Sequence, residues 1–476
     1  MKSIEEILKL DLADDMIDEL SRRTAPIPSI VKLEKEYFPQ GHKIYDTSLR
    51  PDKAIKGQNG NIERFEPVAR IALPLQRIIV ERAVAFLFGN EVKISCTRND
   101  ERAAAAWEAI RRTLWDNKSG SLNRRLARIL MSETEVAELW YPVPEKGFWD
   151  KIAADDRYSY VNSVNPSHKL RVCIFSPSQG DTLYPLYDGY GDMIAFSRKW
   201  KTSDDDIEHY ETYTDKYILR FSRSKSSHWI LEEKIENHIG KIPVVYACQR
   251  QSEWADVQGL IERLEKLLSN FADTNDYHSS PKIFVTGEIR GFARKGETGA
   301  IIEGEANSTA QYLSWQQAPE SVRLEINTLL GMIYSSTQTP DISFDSVKGL
   351  SNTSGVALKM MFLDAHLKVQ NKCELWSEYL ERRLNIIRAY MKVLNTAIAP
   401  YIDALDIRQE IQPYMIDDRT ANIQALNIAS GGKALISQRS AVRLSGLSSD
   451  PDEEYDTLLS EKQIDDIQEG HLNFSM

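Results

Sequence analysis

Apolar residues recur at helical spacing through the first ~135 residues, alternate with polar ones from about 136 to 250, and return to helical spacing at Trp254. In the first part, Ile4, Ile7, Leu8, Leu12, Met16, Ile17 and Leu20 mark an acidic amphipathic segment. A stronger amphipathic helix is predicted over 65–89, stopped by Gly89, then a short strand over 91–95 and helices over 101–115 and 122–131. In the second part, alternating runs at 169–175, 193–200, 208–214, 217–222 and 242–248 are separated by clusters such as SPSQGD, YDGYGD and KTSDDD, the signature of an antiparallel sheet. In the third, Val257, Leu260, Ile261, Leu264, Leu268 and Phe271 line one face of a helix to about His278. A small β segment follows (281–288, 300–305, 310–315), and Pro319 opens another helix to about Ser336.

After a loop of about 16 residues comes the feature that dominates the chain: residues 356–399 contain neither glycine nor proline. As one helix they would extend about 66 Å at about 1.5 Å per residue. Met360, Leu363, Leu367, Trp376, Leu380, Ile387, Met391 and Leu394 give the stretch an apolar face. Ser351, Asn352, Thr353 and Ser354 offer capping groups, and Gly355 allows the sharp bend into the first turn. A short strand over 406–411 and helices beginning near Ser437 and Asp450 complete the chain.

Composition narrows what such a chain can do. Its 476 residues suffice for about three structural units. A net charge of −11 argues against a surface built to hold a phosphate backbone tightly, which needs many Lys and Arg contacts. The amino-terminal segment lacks the basic start and apolar core of a signal peptide. The most apolar helical stretch, 71–88, is interrupted by Gln76, Arg77, Glu81 and Arg82, so no membrane span is expected. Cys96, Cys173, Cys248 and Cys373 are far apart and suit reduced thiols.

Catalytic chemistry is not encoded in any recognisable pattern. There is no GxxxxGK[ST], no HExxH and no Cys/His zinc spacing, so neither metal nor cofactor is expected. Gly189 and Gly191 lie between strands, as in a hairpin turn. The run Asp204, Asp205, Asp206 reads as a solvated acidic turn, and GLSNTSG at 349–355 as a helix cap without the lysine of a phosphate loop.

What remains informative is an order of elements: helix, β excursion, helix, long loop, very long helix, helical tail. Three patches carry it: IPVVYACQRQSEWADVQGLIERLEKLLSNFADTNDYHSSPKIFVTG at 242–287, SNTSGVALKMMF at 351–362 and ALISQRSAVRLSGLSSDPDEEYDTLLSEK at 434–462. In these the chain resembles the portal proteins of tailed bacteriophages, of the siphophage type. The resemblance implies an α+β, mainly helical portal architecture. It divides the chain into a wing at 1–253 (helical 1–135, antiparallel β 136–253), stem helices at 254–278 and 318–338 around a β clip at 279–317, and a tunnel loop at 339–353. A long wing helix and strand at 354–416, the helix acting as a spine, and a helical crown at 417–476 complete it.

It further implies a homo-oligomeric ring, typically of 12 subunits, at a capsid vertex of the virion, assembled in the host cytoplasm. Double-stranded DNA would pass through it without sequence specificity. A terminase large subunit, a head-completion adaptor and the major capsid or scaffolding protein would be its partners. Phe344, Asp345, Ser346, Val347 and Lys348 become the residues expected to face DNA, Asn352 and Gly355 the joint between loop and helix, and Arg290, Arg294 and Lys295 the clip residues meeting DNA, terminase or adaptor. An acidic wall with few cations would let a duplex slide. A nucleic-acid-processing enzyme of the packaging apparatus and a long-helix scaffold without a DNA role are the competing readings. The first lacks a Walker motif, and the second gives no reason for a β tip between two helices.

Overall fold

Three short helices open the chain: α1 (Ile4–Ile7), α2 (Ala13–Leu20) and α3 (Ile30–Tyr37). The first carries a full capping box, in which Ser3 Oγ accepts from Glu6 N and the Glu6 carboxylate accepts from Ser3 N at 2.8 Å. These observations come from a computed structural model that describes residues 3–23, 26–57, 59–97, 102–202, 206–224, 227–278, 282–286, 309–313, 318–342, 360, 362–414, 419–448, 451 and 454–462. The chain divides into two units, Met1–Ser343 with Leu363–Tyr414, and Phe344–Phe362 with Met415–Met476.

In the first unit β1 (Lys53–Lys56) pairs with β2 (Ile62–Glu66), and α4 spans Leu75–Phe88. The helix predicted over 65–89 is therefore ten residues shorter at its start, which the sequence itself explains: Pro67 and Pro74 cannot donate to a helical ladder. β3 (Lys93–Thr97), α5 (Ala103–Asp116) and α6 (Ser119–Glu133) follow.

The alternating region forms two antiparallel sheets. A three-stranded one orders β11 (Val244–Cys248), β4 (Glu135–Pro144) and β5 (His168–Phe175), with α7 (Gly147–Ala153) between β4 and β5 in sequence. A five-stranded meander runs through β6 (Thr182–Tyr187), β7 (Met193–Lys201), β8 (Glu208–Tyr213), β9 (Tyr217–Arg223) and β10 (Ile230–Glu236). Gly189 and Gly191 sit in the β6–β7 turn, where Asp188 Oδ1 accepts from the backbone N–H of Tyr190 (2.8 Å) and Asp192 (2.9 Å). Helices α1 and α2 cover this meander with Ile7, Ile17 and Leu20, which pack among Leu186, Tyr210, Phe221 and Trp229.

Helix α8 (Gln258–His278) and helix α9 (Ala318–Ser336) pack against each other, and Arg263 pairs with Glu325 across them at 2.7 Å. Between them in sequence, β12 (Lys282–Thr286) pairs antiparallel with β13 (Thr309–Leu313); the run expected at 300–305 lies outside the described residues. One face of α8 carries polar side chains at four-residue spacing. Glu265 Oε1, Ser269 Oγ and Asp273 Oδ1 accept the backbone N–H groups of Leu73, Ile71 and Ala69 at 2.8, 2.9 and 2.8 Å. His42 Nδ1 lies 2.6 Å from Glu265 Oε1, and Arg50 Nη2 donates to Asp273 Oδ2 at 2.6 Å, so the same carboxylates are held from a second side. A segment without secondary structure is thereby strapped along a helix, its amides satisfied by side chains rather than by a sheet.

Helix α10 (Leu363–Leu394, 32 residues) buries Trp376, Tyr379, Leu380, Leu384, Ile387 and Met391. It stops before Ala399 because the fully buried Asn395 donates Nδ2–H to Val161 O (3.0 Å) and accepts from Ala397 N (3.1 Å), locking a turn without glycine or proline. A short helix α11 (Ala399–Ile402) leads to β14 (Asp406–Glu410), which pairs with β3. In the second unit, α12 (Arg419–Ser430) precedes α13 (Gln438–Ser445). Ser437 caps α13 by accepting from Ser440 N at 3.1 Å, and residues 454–462 are helical.

Candidate functional site at the root of the 339–353 loop

The residues singled out from sequence, Phe344, Asp345, Ser346, Val347, Lys348, Asn352, Gly355, Arg290, Arg294 and Lys295, all lie outside the described residues. The described part of the site is the place where the loop leaves α9. There the helix ends in a Schellman arrangement: Thr339 N donates to Tyr334 O (2.9 Å) and Gln338 N to Ser335 O (3.1 Å), with Gln338 left-handed at φ 51°. Thr337 Oγ1 donates back to Ile333 O at 2.8 Å and lies 2.9 Å from Thr339 Oγ1, so both threonines, almost fully buried, are satisfied.

Two cations from two helices hold this turn, and a third supports them through a shared carboxylate. Arg82 on α4 donates to Pro340 O at 2.7 Å while its guanidinium lies 5.3 Å from the centre of the Tyr334 ring. Lys368 on α10 donates to Thr337 O at 3.0 Å and pairs with Glu253 at 2.8 Å. Lys372, one helical turn further, pairs with the other oxygen of Glu253 and donates to Gln249 Oε1 at 3.0 Å. Glu253 is itself placed by its backbone N–H, which donates to Met131 O at 3.1 Å at the end of α6.

Burial pushes the Glu253 carboxyl up, but two ammonium groups face it and together hold it below the ordinary 4.5. Burial is also the larger effect on Lys368 and draws it below 10.5. That lysine shares one carboxylate with a second ammonium, so Glu253 offsets only part of the loss. The cavity enclosed by these groups has about 10 Å3, room for a single water and not for a ligand. Chemically the arrangement is an anchor that holds residues 337–340 at the end of α9, with Arg82, Lys368 and Lys372 all engaged.

None of these anchor residues was singled out from sequence. Lys368 lies between Leu367 and Val369, a weak signal that its side chain is drawn inward, but Arg82, Glu253 and Lys372 carry no local signature.

Residues 23–468 match the family described as "Phage portal protein, SPP1 Gp6-like". The chain belongs to that family. Portal membership thus covers both units and the loop root. No curated protein matches the chain. Among solved structures, the neck of a native gene transfer agent particle computed with C12 symmetry aligns at 10% identity and TM-score 0.42 over 91% of this chain and 97% of that one. The neck of an empty particle computed with C6 symmetry aligns at 11% identity and 0.41 over 78% and 89%. A native gene transfer agent virion aligns at 11% and 0.39 over 91% and 97%.

Proposed function

We propose that copies of this portal family member assemble into a ring, of 12 subunits, at one vertex of a phage capsid, forming a channel through which double-stranded DNA is packaged and ejected. The observation that carries this reading is the family match over nearly the whole chain, 23–468. In this reading 1–253 is the wing, α8 and α9 are the stem, 279–317 is the clip, 339–353 is the tunnel loop and 417–476 is the crown. The clip, with Arg290, Arg294 and Lys295, docks the terminase large subunit and later the head-completion adaptor, while the periphery meets the major capsid or scaffolding protein. The subunit is structural rather than enzymatic; the motor that moves DNA is the terminase. It is made in the host cytoplasm and remains in the virion.

The acidic chain supports a sliding contact. A duplex held by many Lys and Arg would be bound through counterion release; a loop offering a single cation, Lys348, exerts little hold. Anchoring at Arg82, Glu253 and Lys368 lets Phe344–Lys348 reach from a fixed base, with Asn352 and Gly355 as the returning joint.

Negative-stain electron microscopy of the purified full chain tests the assembly: rings with a central hole are expected, and monomers or dimers only, at high concentration, would overturn the reading. For the loop, deletion of 344–347 or Lys348→Ala is expected to leave rings intact and to lower the amount of DNA packaged or retained per particle, with the deletion having the larger effect because a single cation contributes little hold. Packaging at the wild-type level in both variants would remove the loop from the mechanism.

A further inference from the structure

The β1–β2 ribbon and the end strand of the meander, β10, each leave an edge unpaired, and their charges are opposite. The ribbon leaves the body at Asp52, whose carboxylate is held by Arg70 at 2.8 Å and by the Val68 amide at 3.2 Å. Beyond that base every strand residue is exposed except the half-buried Ile55. Lys53 lies opposite Glu66, Ala54 opposite Phe65, Ile55 opposite Arg64 and Lys56 opposite Ile62, so Phe65 (64% exposed) and Ile62 (53%) share one solvated face. Two strands alone are at best marginally stable in water, and further strands are what such a ribbon lacks.

All seven residues of β10 are exposed. The strand sets Glu232, Glu233 and Glu236 against one cation, Lys234, whose ammonium lies 4.2 Å from the centre of the Tyr217 ring on the neighbouring strand. The other described strands with an open edge are less acidic. β2 and β14 each set one arginine against two carboxylates, β6, β11 and β13 carry no charge, and β3, β5 and β12 are basic. Charged side chains on an edge strand turn away strands of like charge and admit one of opposite charge. β1 is such a strand, since Lys53 and Lys56 are its only charges; β2, on the other edge of the ribbon, would bring Glu63 and Glu66 against the β10 carboxylates.

We propose that β1 of one copy adds antiparallel to the open edge of β10 in the next, joining the meander and the ribbon into one seven-stranded sheet. Antiparallel is the sense of every ladder among the described residues. In the register that pairs Lys53 with Glu236 and Lys56 with Glu233, Ala54 falls opposite Ile235 and Ile55 opposite Lys234. Directly opposed residues share a face, so Ile218, Ile235, Ala54 and Phe65 would form one apolar row across four strands. Glu233 already pairs with Arg220 at 2.7 Å, yet its side chain is 54% exposed, which leaves room for a second cation. The two edges belong to different parts of the chain, so the contact is head-to-tail, as closure of a ring demands. The proposal rests on the ring reading and names one contact that builds it.

The test uses the full chain. Lys53→Glu with Lys56→Glu sets like charges against Glu236 and Glu233. The concentration at which half the chain is in rings, read by mass photometry, is expected to rise at least tenfold, with the thermal midpoint unchanged because both lysines are exposed. Glu236→Lys is expected to weaken assembly and Lys53→Glu, added to it, to restore it at least in part. Ala54→Cys combined with Ile235→Cys is expected to give, under copper–phenanthroline oxidation, a ladder of covalent multimers on a non-reducing gel that neither single variant gives. Ile55→Cys with Ile235→Cys, whose side chains would lie on opposite faces, is expected to give none. Rings from the Lys53→Glu, Lys56→Glu variant at the wild-type concentration, assembled rings of the Ala54→Cys, Ile235→Cys variant without a ladder, or a ladder from the Ile55→Cys pair instead would overturn the contact while leaving the ring in place. A wild-type chain that forms no rings would remove both.

Discussion

Arg383→Ala is expected to destabilise the first unit by about 3–5 kcal/mol, the cost of leaving a buried charge without its partner. The side chains of Arg383 and Glu138 are 2% and 0% exposed and meet in two parallel bonds, Nε to Oε1 at 2.7 Å and Nη2 to Oε2 at 2.8 Å. Nη1 donates to Asn123 Oδ1 at 2.6 Å, and Trp140 Nε1 adds a third donor to Glu138 at 3.1 Å. One arginine thus ties α10 to β4 and α6, and its loss orphans a carboxylate and an amide together. Because total stabilities run at about 5–15 kcal/mol, the variant should be visible as a large fall in the urea midpoint. Arg383→Met with Glu138→Leu, which removes both charges, should recover most of the loss. A single variant costing under about 1 kcal/mol would mean that water reaches Glu138.

Glu253 at the loop root gives the second large effect, and here pH is the probe. Its folded pKa lies below the ordinary 4.5, so the folded state binds fewer protons than the unfolded one; its contribution is full above about 4.5 and is lost as pH falls through the lower folded value. Glu253→Gln abolishes that acid dependence and, at neutral pH, leaves Lys368 and Lys372 facing a neutral amide at a cost of about 3 kcal/mol. Hydrogen exchange should report the change locally: the amides of Gln338 and Thr339, protected by bonds to Ser335 and Tyr334, should exchange faster in the variant, and in the wild type once pH has fallen through the lowered folded value of Glu253. Unchanged protection would show that Arg82 alone holds the turn.

How far the sequence alone leads depends on how local the deciding physics is. Strands β5, β7, β8, β9 and β11 stand out as short runs rich in apolar and aromatic residues between turn clusters and are legible to within two residues, as is α9; α8 begins at Gln258, four residues after the expected start at Trp254. Strand β4 escapes the alternation rule because Glu135 and Glu138 are buried within it, matched by Arg23 and Arg383, which lie more than 100 residues away in sequence. Strand β10 escapes for the opposite reason: all seven of its residues are exposed, so no face is distinguished. The end of α10 depends on one buried asparagine and its contact to Val161, invisible in a run free of helix breakers. The loop expected at 339–353 lies, from residue 343 on, outside the described residues. The anchor at the end of α9 could not be foreseen, since Arg82, Glu253, Thr337 and Lys368 come together only through the packing of α4, α9 and α10.

The strap along α8 works as a vernier. Four residues of helix advance about 6.0 Å, while two residues of extended chain advance about 6.4–6.8 Å, so the two scales coincide closely at only a few successive marks. Leu73 on Glu265, Ile71 on Ser269 and Ala69 on Asp273 are three such marks, all between 2.8 and 2.9 Å. The next position along the segment, Pro67, has no N–H to donate, so the ladder ends at Ala69. A vernier reads true at one setting only: sliding α8 along its axis by even half a rung would misalign every mark at once. Axial displacement of α8 would therefore strain all three bonds together and pull on residues 69–73, which lead directly into α4.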